Sequence, residues 1–232
     1  MKNLFLHYMH ERVRREEEEV ERELGPVITI SREYGCYGSE IAQKLADKIN
    51  QENKDTDDRN EWVLVSHQVL HDASESLEKE PHEISHIFGA EEKNVFGDLV
   101  SIFSKDKYIS DTQIKRTIAQ IVRSYSEQGH SIIVGRAGCV IAKHIKKSLH
   151  VRLMAPFNWR ANVIKNRFNL TTSEALDKVK ETDKRRETFM EFFRGNKPDS
   201  ELFDLEFNRA TIPTDLIVDE IYRVAKHKGL TE

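Results

Sequence analysis

Cysteine is almost absent from the 232-residue chain. Cys36 and Cys139 are the only two, and neither belongs to a Cys-x-x-Cys pair or another zinc-ligand spacing. That excludes a disulfide scaffold and a cysteine-built metal site. The histidines are equally scattered, and His82 and His86, four apart, lack the His-Glu-x-x-His pattern of a zinc enzyme. No stretch approaches the ~20 apolar residues of a membrane span, and the opening Met1 to His7 is too short and too soon charged for a signal peptide. A soluble cytoplasmic protein with no membrane partner is expected. Positive charge is not in excess either: 36 Lys and Arg against 40 Asp and Glu leave a net charge of −4. The chain therefore lacks the global basic bias of a duplex-binding domain, and nucleic acid is not an expected partner, although a local anion site remains open. There is no internal repeat, and the acidic run Glu16 to Glu19 is the one low-complexity tract.

What is present is apolar material for a sizeable core, at 38% of residues, within an unusually charged surface. The organisation reads as a charged helical arm over residues 1–25 and one large domain over 26–232. In the arm, Arg12/Glu16, Arg14/Glu18, Arg15/Glu19 and Glu18/Arg22 stand at four-residue spacing, the signature of a solvated helix. Its sparse apolar positions cannot form a core, but they could pack on the domain edge or on a second subunit, so the arm is either an exposed extension or a homo-oligomerisation element. Gly25 and Pro26 end it.

Val27-Ile28-Thr29-Ile30 is β-branched throughout and predicts a strand buried on both faces. A glycine-containing loop follows, and from Ser39 the residues Ile41, Leu45 and Ile49 with Ala42 and Ala46 form one helical stripe. Asn50 to Asn60 reads as a polar loop, Glu61 to Ser66 as a second strand, and residues 67–129 as helical. Ser110-Asp111-Thr112-Gln113 resembles a capping box, and Gly129 closes that helix. Ser131 to Gly135 and Leu149 to Met154 supply the third and fourth strands. Thr171 to Glu174 is a second capping box, Phe203 to Phe207 alternates as a strand, and Pro213 starts a last helix. Strands and helices alternating in this order imply an α/β fold in three layers, a parallel sheet with helices on both faces.

In such sheets ligands bind beyond the carboxyl ends of the strands. The loop after the first strand contains Gly35 and Gly38 and enters a helix, so its backbone N–H groups and the helix's positive end can attract phosphate. It departs from the standard phosphate loop, Gly-x-x-x-x-Gly-Lys-Ser/Thr. Gly38-Ser39-Glu40 stands at that corner with no lysine. If phosphate binds there, charge must come from Arg32, Arg136 or the later arginines. Glu40 equally suits the helix dipole. Tyr37 either covers the loop or stacks on a base, and Trp62, Trp159 and Cys139 read as packing residues.

Three segments, Val27 to Ala46, Ile133 to Gly138, and Asp183-Lys184-Arg185-Arg186, resemble in order and spacing the cytidylate kinase-like family, a branch of the P-loop nucleoside monophosphate kinases. The resemblance spans roughly residues 26–228. It implies a five-stranded parallel core, a helical acceptor-binding region at 67–129 and a lid at 157–195. It further implies transfer of the γ-phosphoryl of ATP to a nucleoside monophosphate, with CMP or dCMP as the family default and Mg²⁺ as cofactor. By position, Ser31, Arg32, Gly35, Cys36, Tyr37, Gly38, Ser39 and Glu40 would form the phosphate-binding loop. Arg136 would hold the acceptor phosphate, and Arg160, facing donor phosphates, would act with Asp183, Arg185 and Arg186 of the lid. Ser39 would be the nearest magnesium contact, with Glu40 beside it. The absent lysine, and the lack of an Asp directly after Gly135-Arg136, leave two other readings: a kinase-fold regulatory protein that binds nucleotide or phosphate without transfer, or a kinase of another small metabolite.

Overall fold

The structure is a computed structural model that describes residues 24–54, 60–66, 68–77, 110–195 and 198–231. The arm up to residue 23, its proposed oligomerisation role, and residues 78–109 of the acceptor-binding region lie outside the described residues.

The β-branched run forms β1 (Val27–Arg32), two residues longer than its apolar core suggests. Ser31 and Arg32 continue it because they keep parallel pairing with Arg152 and Leu153 of β4 (Ser148–Met154). On its other side β1 pairs in parallel with β3 (Ser131–Val134), which pairs with β2 (Val63–Val65); β5 (Leu205–Asn208) pairs with β4. The sheet is five-stranded and parallel in the order β2-β3-β1-β4-β5. The connection from β1 skips to the far side of β3 and the chain returns to both flanks of β1, which opens a crevice at the carboxyl ends of β1, β3 and β4.

Alternate strand residues enter two cores. Ile28, Ile30, Ile132, Val134, Leu149, Val151 and Leu153 face one side, covered by α1 (Gly38–Asn53) and, after β5, by the last helix. Val27, Ile133 and Val65 face the other, where Val69 and Ala73 of α2 (Gln68–Ser76) meet Ile114, Ile118, Ile121 and Val122 of α3 (Asp111–Gln128) and Ile141 of the short α4 (Gly138–Ile141). On that second side β4 is polar. His150 Nδ1 and Thr29 Oγ1 share a hydrogen bond of 2.8 Å, and Arg152 stands one step nearer the crevice.

Beyond β4, α5 (Phe157–Phe168) and α6 (Thr172–Arg194) form a hairpin around a third small core of Ala161, Ile164, Ala175 and Val179. Thr171 and Glu174 make the complete capping box expected at the start of α6. At its other end α6 places Phe189 in the core around α3 and α4, so this helix lies across the crevice. The last helix, α7 (Thr214–His227), returns against α1, with Lys44–Asp215 and Lys48–Asp219 ion pairs between them.

Element boundaries differ from the sequence pattern in two instructive places. α1 runs on to Asn53 through residues expected in a loop, because the Asn50 side chain bonds both the amide and the carbonyl of Trp62 and ties the helix to the chain entering β2. β5 starts at Leu205 and not at Phe203, since Asp204 is used in the turn, where its carboxylate accepts from the His150 amide. Among the described residues no helix is long and apolar enough to cross a membrane.

Candidate active site

The crevice holds a cleft of about 360 Å³. Its floor comes from Ser31, Arg32 and Glu33 at the end of β1, from Gly135, Arg136 and Ala137 after β3, and from Arg152 of β4; α6 forms the opposite wall with Asp183 to Glu187, Phe189, Met190 and Arg194. Asp199 and Phe203 close the far end. Seven cationic side chains face this space against four carboxylates, so the cleft favours an anionic occupant while Phe189, Met190 and Phe203 offer an apolar surface.

The turn after β3 is strained. Gly135, Arg136 and Ala137 have φ of 73°, 53° and 53°, three left-handed residues in succession, two of them carrying a Cβ. Such backbone costs on the order of 1–2 kcal/mol per non-glycine residue and persists where the surroundings enforce it. Here the enforced turn presents a largely buried Arg136 to the cleft directly at the sheet edge.

Of the residues expected to bind phosphate, Ser31 and Arg32 line the cleft, whereas Gly35, Cys36, Tyr37, Gly38, Ser39 and Glu40, in the loop and first turn of α1, do not. Tyr37 is the N-cap, itself left-handed at φ 52°, and its ring lies under the Arg167 guanidinium at 4.8 Å. At the start of α1 the Glu40 and Ile41 amides donate to the Tyr37 carbonyl, and the Ser39 hydroxyl stands on the same turn. Cys36 is buried, and that burial, reinforced by the nearby Glu33 charge, pushes its thiol up to about 12. Burial raises Cys139 as well. Neither thiol is a nucleophile at neutral pH.

Arg185 and Arg186 of α6 line the cleft with Asp183. Arg186 Nη1 donates to the Arg32 carbonyl and its guanidinium lies over the Tyr34 ring, which holds α6 to the loop. Arg185 is more exposed and pairs with Glu181 at 3.8 Å.

Arg160 is placed differently from the expectation that it faces donor phosphates. It is 5% exposed and does not line the cleft. Nε donates to the Ala155 carbonyl and Nη1 to the Tyr34 carbonyl, and the guanidinium pairs with both Glu33 and Asp183. Asp183 in turn accepts from the Tyr34 amide at 2.8 Å, and Glu33 from the Ala155 amide at 3.0 Å. These four groups bolt the β1–α1 loop to α5 and α6. Arginine suits the task because its planar fork satisfies two carbonyls and two carboxylates at once.

Sequence reasoning missed Arg152 of the floor, Arg194 of the α6 wall and Asp199 and Phe203, which close the far end. Asp199 accepts from Arg152 at 2.9 Å and pairs with Arg194; Arg194 also meets Glu187, and Arg152 lies over the Phe203 ring. It missed Arg209 too, whose guanidinium donates to the Cys36 carbonyl, to Ile212 and to Thr214, supporting the loop from behind. No local motif marks these residues.

The profile of the cytidylate kinase-like family matches residues 27–211, which include every element of the sheet and the whole cleft. Among curated proteins none matches the chain. Of solved structures, an uncharacterized protein from Eubacterium ventriosum superposes with a TM-score of 0.60 at 19% identity, covering 87% of this chain and 98% of that one. Shikimate kinase from Bacteroides thetaiotaomicron gives a TM-score of 0.48 at 11% identity over the same shares. A parallel sheet in the order β2-β3-β1-β4-β5, a glycine-containing turn after β1 and an arginine-lined cleft under α6 accompany a family match over most of the chain, and the protein belongs to the cytidylate kinase-like family.

Proposed function

We propose that the protein is a phosphotransferase that moves the γ-phosphoryl group of ATP to a small phosphorylated acceptor, a nucleoside monophosphate in the first instance. The observation that carries this reading is the cleft itself, where Arg136, on an enforced left-handed turn, faces Arg185 and Arg186 of α6 across a space that favours anions. Phosphoryl transfer asks the protein chiefly for positioning and charge neutralisation, and arginine forks supply both.

In the step, an oxygen of the acceptor phosphate attacks the γ-phosphorus. The bond from that phosphorus to the β,γ-bridging oxygen breaks, and the electron pair leaves on ADP. A dianionic acceptor phosphate needs no proton transfer. Arg136 holds the acceptor, and Arg185 and Arg186 offset charge on the transferring group. Arg160 and Asp183 contribute by fixing the loop and α6 in register. Mg²⁺ normally keeps most ligands from water and substrate phosphates and needs one or two protein oxygens. The Ser39 hydroxyl on the first turn of α1 fits that demand, and the ion would supply charge neutralisation on the donor.

The test is a coupled turnover assay with ATP and Mg²⁺ against CMP, dCMP, UMP, AMP and GMP. Turnover of one of them is expected, with CMP and dCMP first. Arg136→Ala should lose more than about 2 kcal/mol of transition-state stabilisation. An unchanged rate removes Arg136 from the mechanism. The lack of a lysine at the corner where the standard loop has one favours a second reading, a nucleotide-binding regulator that does not transfer; ATP binding without turnover on any acceptor would establish it.

A further inference from the structure

The β1–α1 loop departs from the standard phosphate loop at three motif positions, one of them the second glycine, where Tyr37 stands. With Ser39 at the hydroxyl position of Gly-x-x-x-x-Gly-Lys-Ser/Thr, Gly38 stands at the lysine and Arg32 at the first glycine. The start of α1 at Gly38 agrees with this register. Arg32 crosses back over the position where the lysine would begin. A Cβ placed on Gly38 would meet Arg32 Cγ and Cδ at 3.0 and 3.1 Å, so the arginine stem occupies the space a side chain at 38 would need. Its guanidinium reaches on to the β3 turn, where a Cβ on Gly135 would collide with Arg32 Nη1. Two glycines on two different loops thus clear a path for one arginine.

That path runs between the helix start, where donor phosphates are drawn, and Arg136, where the acceptor is held. Arg32 also lines the cleft, and its carbonyl receives Arg186 Nη1, so α6 docks on the same residue. Resting on the phosphotransferase reading above, we propose that Arg32 is the catalytic cation of this site, supplying from the first-glycine position the charge that the standard loop supplies from its lysine. Its guanidinium grips donor phosphate oxygens and offsets their charge as the γ-phosphoryl passes to the acceptor. It carries no proton. The exchange explains why the loop functions without lysine, and it makes Gly38 and Gly135 partners of Arg32 and not mere turn residues.

The experiment measures ATP affinity and turnover on the full chain for wild type and five variants. Arg32→Met keeps the aliphatic stem over Gly38 and removes the charge; it should weaken ATP binding about tenfold or more and lower kcat on the order of 100-fold, with an unchanged melting temperature. Arg32→Lys should recover part of both. Gly38→Lys alone should fail, since its side chain meets the Arg32 stem. Arg32→Gly combined with Gly38→Lys returns the first glycine and the lysine of the standard motif, with Tyr37 still at its second glycine, and should recover activity at least about tenfold over Arg32→Gly, a rescue that no purely structural role produces.

If Arg32→Met binds ATP and turns over within about threefold of wild type, the assignment of Arg32 falls while the kinase reading stands. A folded but inactive Arg32→Met that neither Arg32→Lys nor the double variant rescues overturns it as well. Wild-type protein that binds no ATP at all removes the phosphotransferase reading, and the role of Arg32 with it.

Discussion

Replacing Arg160 by methionine removes a buried cation that joins the β1–α1 loop to both helices of the hairpin. The residue is 5% exposed, and four partners surround it: the carbonyls of Tyr34 and Ala155 and the carboxylates of Glu33 and Asp183. Truncating one side of a buried charge pair costs about 3–5 kcal/mol, because the abandoned charges stay desolvated. Here the two carboxylate side chains are 27% and 28% exposed, so water can partly reach them. That places the expected loss near the lower end, about 3 kcal/mol, or roughly 10 °C in melting temperature for a domain of this size. Urea unfolding of wild type and Arg160→Met gives the number directly. A companion variant, Arg160→Met with Glu33→Gln and Asp183→Asn, removes the stranded charges and should regain most of the loss, since a neutral buried cluster is far less costly than a half-neutralised one. The amide groups still accept from Tyr34 and Ala155, which preserves the loop's backbone bonds. The reasoning is refuted if Arg160→Met lies within about 1 kcal/mol of wild type, or if the triple variant is less stable than the single one.

Two further outcomes follow from named contacts. Burial lowers His150 from 6.5 to about 4, with the Lys143 and Lys228 charges working in the same direction and Asp204 opposing. Protonation therefore favours the unfolded chain between those values, so the stability tied to a neutral His150 is complete above pH ~6.5 and falls by about 3 kcal/mol as pH drops toward 4. His150→Gln should flatten the urea-derived stability across pH 7, 5.5 and 4 relative to wild type; parallel curves would show that His150 does not titrate in this window. Gly135→Ala puts a Cβ on a residue at φ 73° and into the Arg32 guanidinium. It should cost about 1–2 kcal/mol of stability. Turnover should drop further than that figure explains, and an activity loss no larger than the stability loss would separate Gly135 from Arg32.

Much of the site was written locally. The strand-loop-helix unit from Val27 to Ile49 and the capping box that starts α6 follow from residues close in sequence, because each depends on hydrophobic period and short-range hydrogen bonds that a few neighbours impose. The far end of the cleft was not legible. Arg152 and Asp199 are separated by 47 positions and meet only because β4 and the turn before β5 lie side by side. Arg209 reaches the carbonyl of Cys36, 173 positions away. Arg160 was the instructive case: the resemblance implied a residue facing donor phosphates, whereas its four partners come from the loop after β1 (Glu33 and Tyr34), from Ala155 between β4 and α5, and from α6 (Asp183).

By itself the sequence determined the alternation of strands and helices and the absence of lysine from the loop, since hydrophobic period, turn chemistry and residue identity are local properties. Only the tertiary structure decided which arginines face the cleft and which are spent holding it together. That distinction rests on burial and on the partners a charge meets across long sequence separations. Arg32 and Arg160 are both arginines near the same loop; one stem fits over a glycine into the cleft, while the other is enclosed by two carboxylates and two carbonyls.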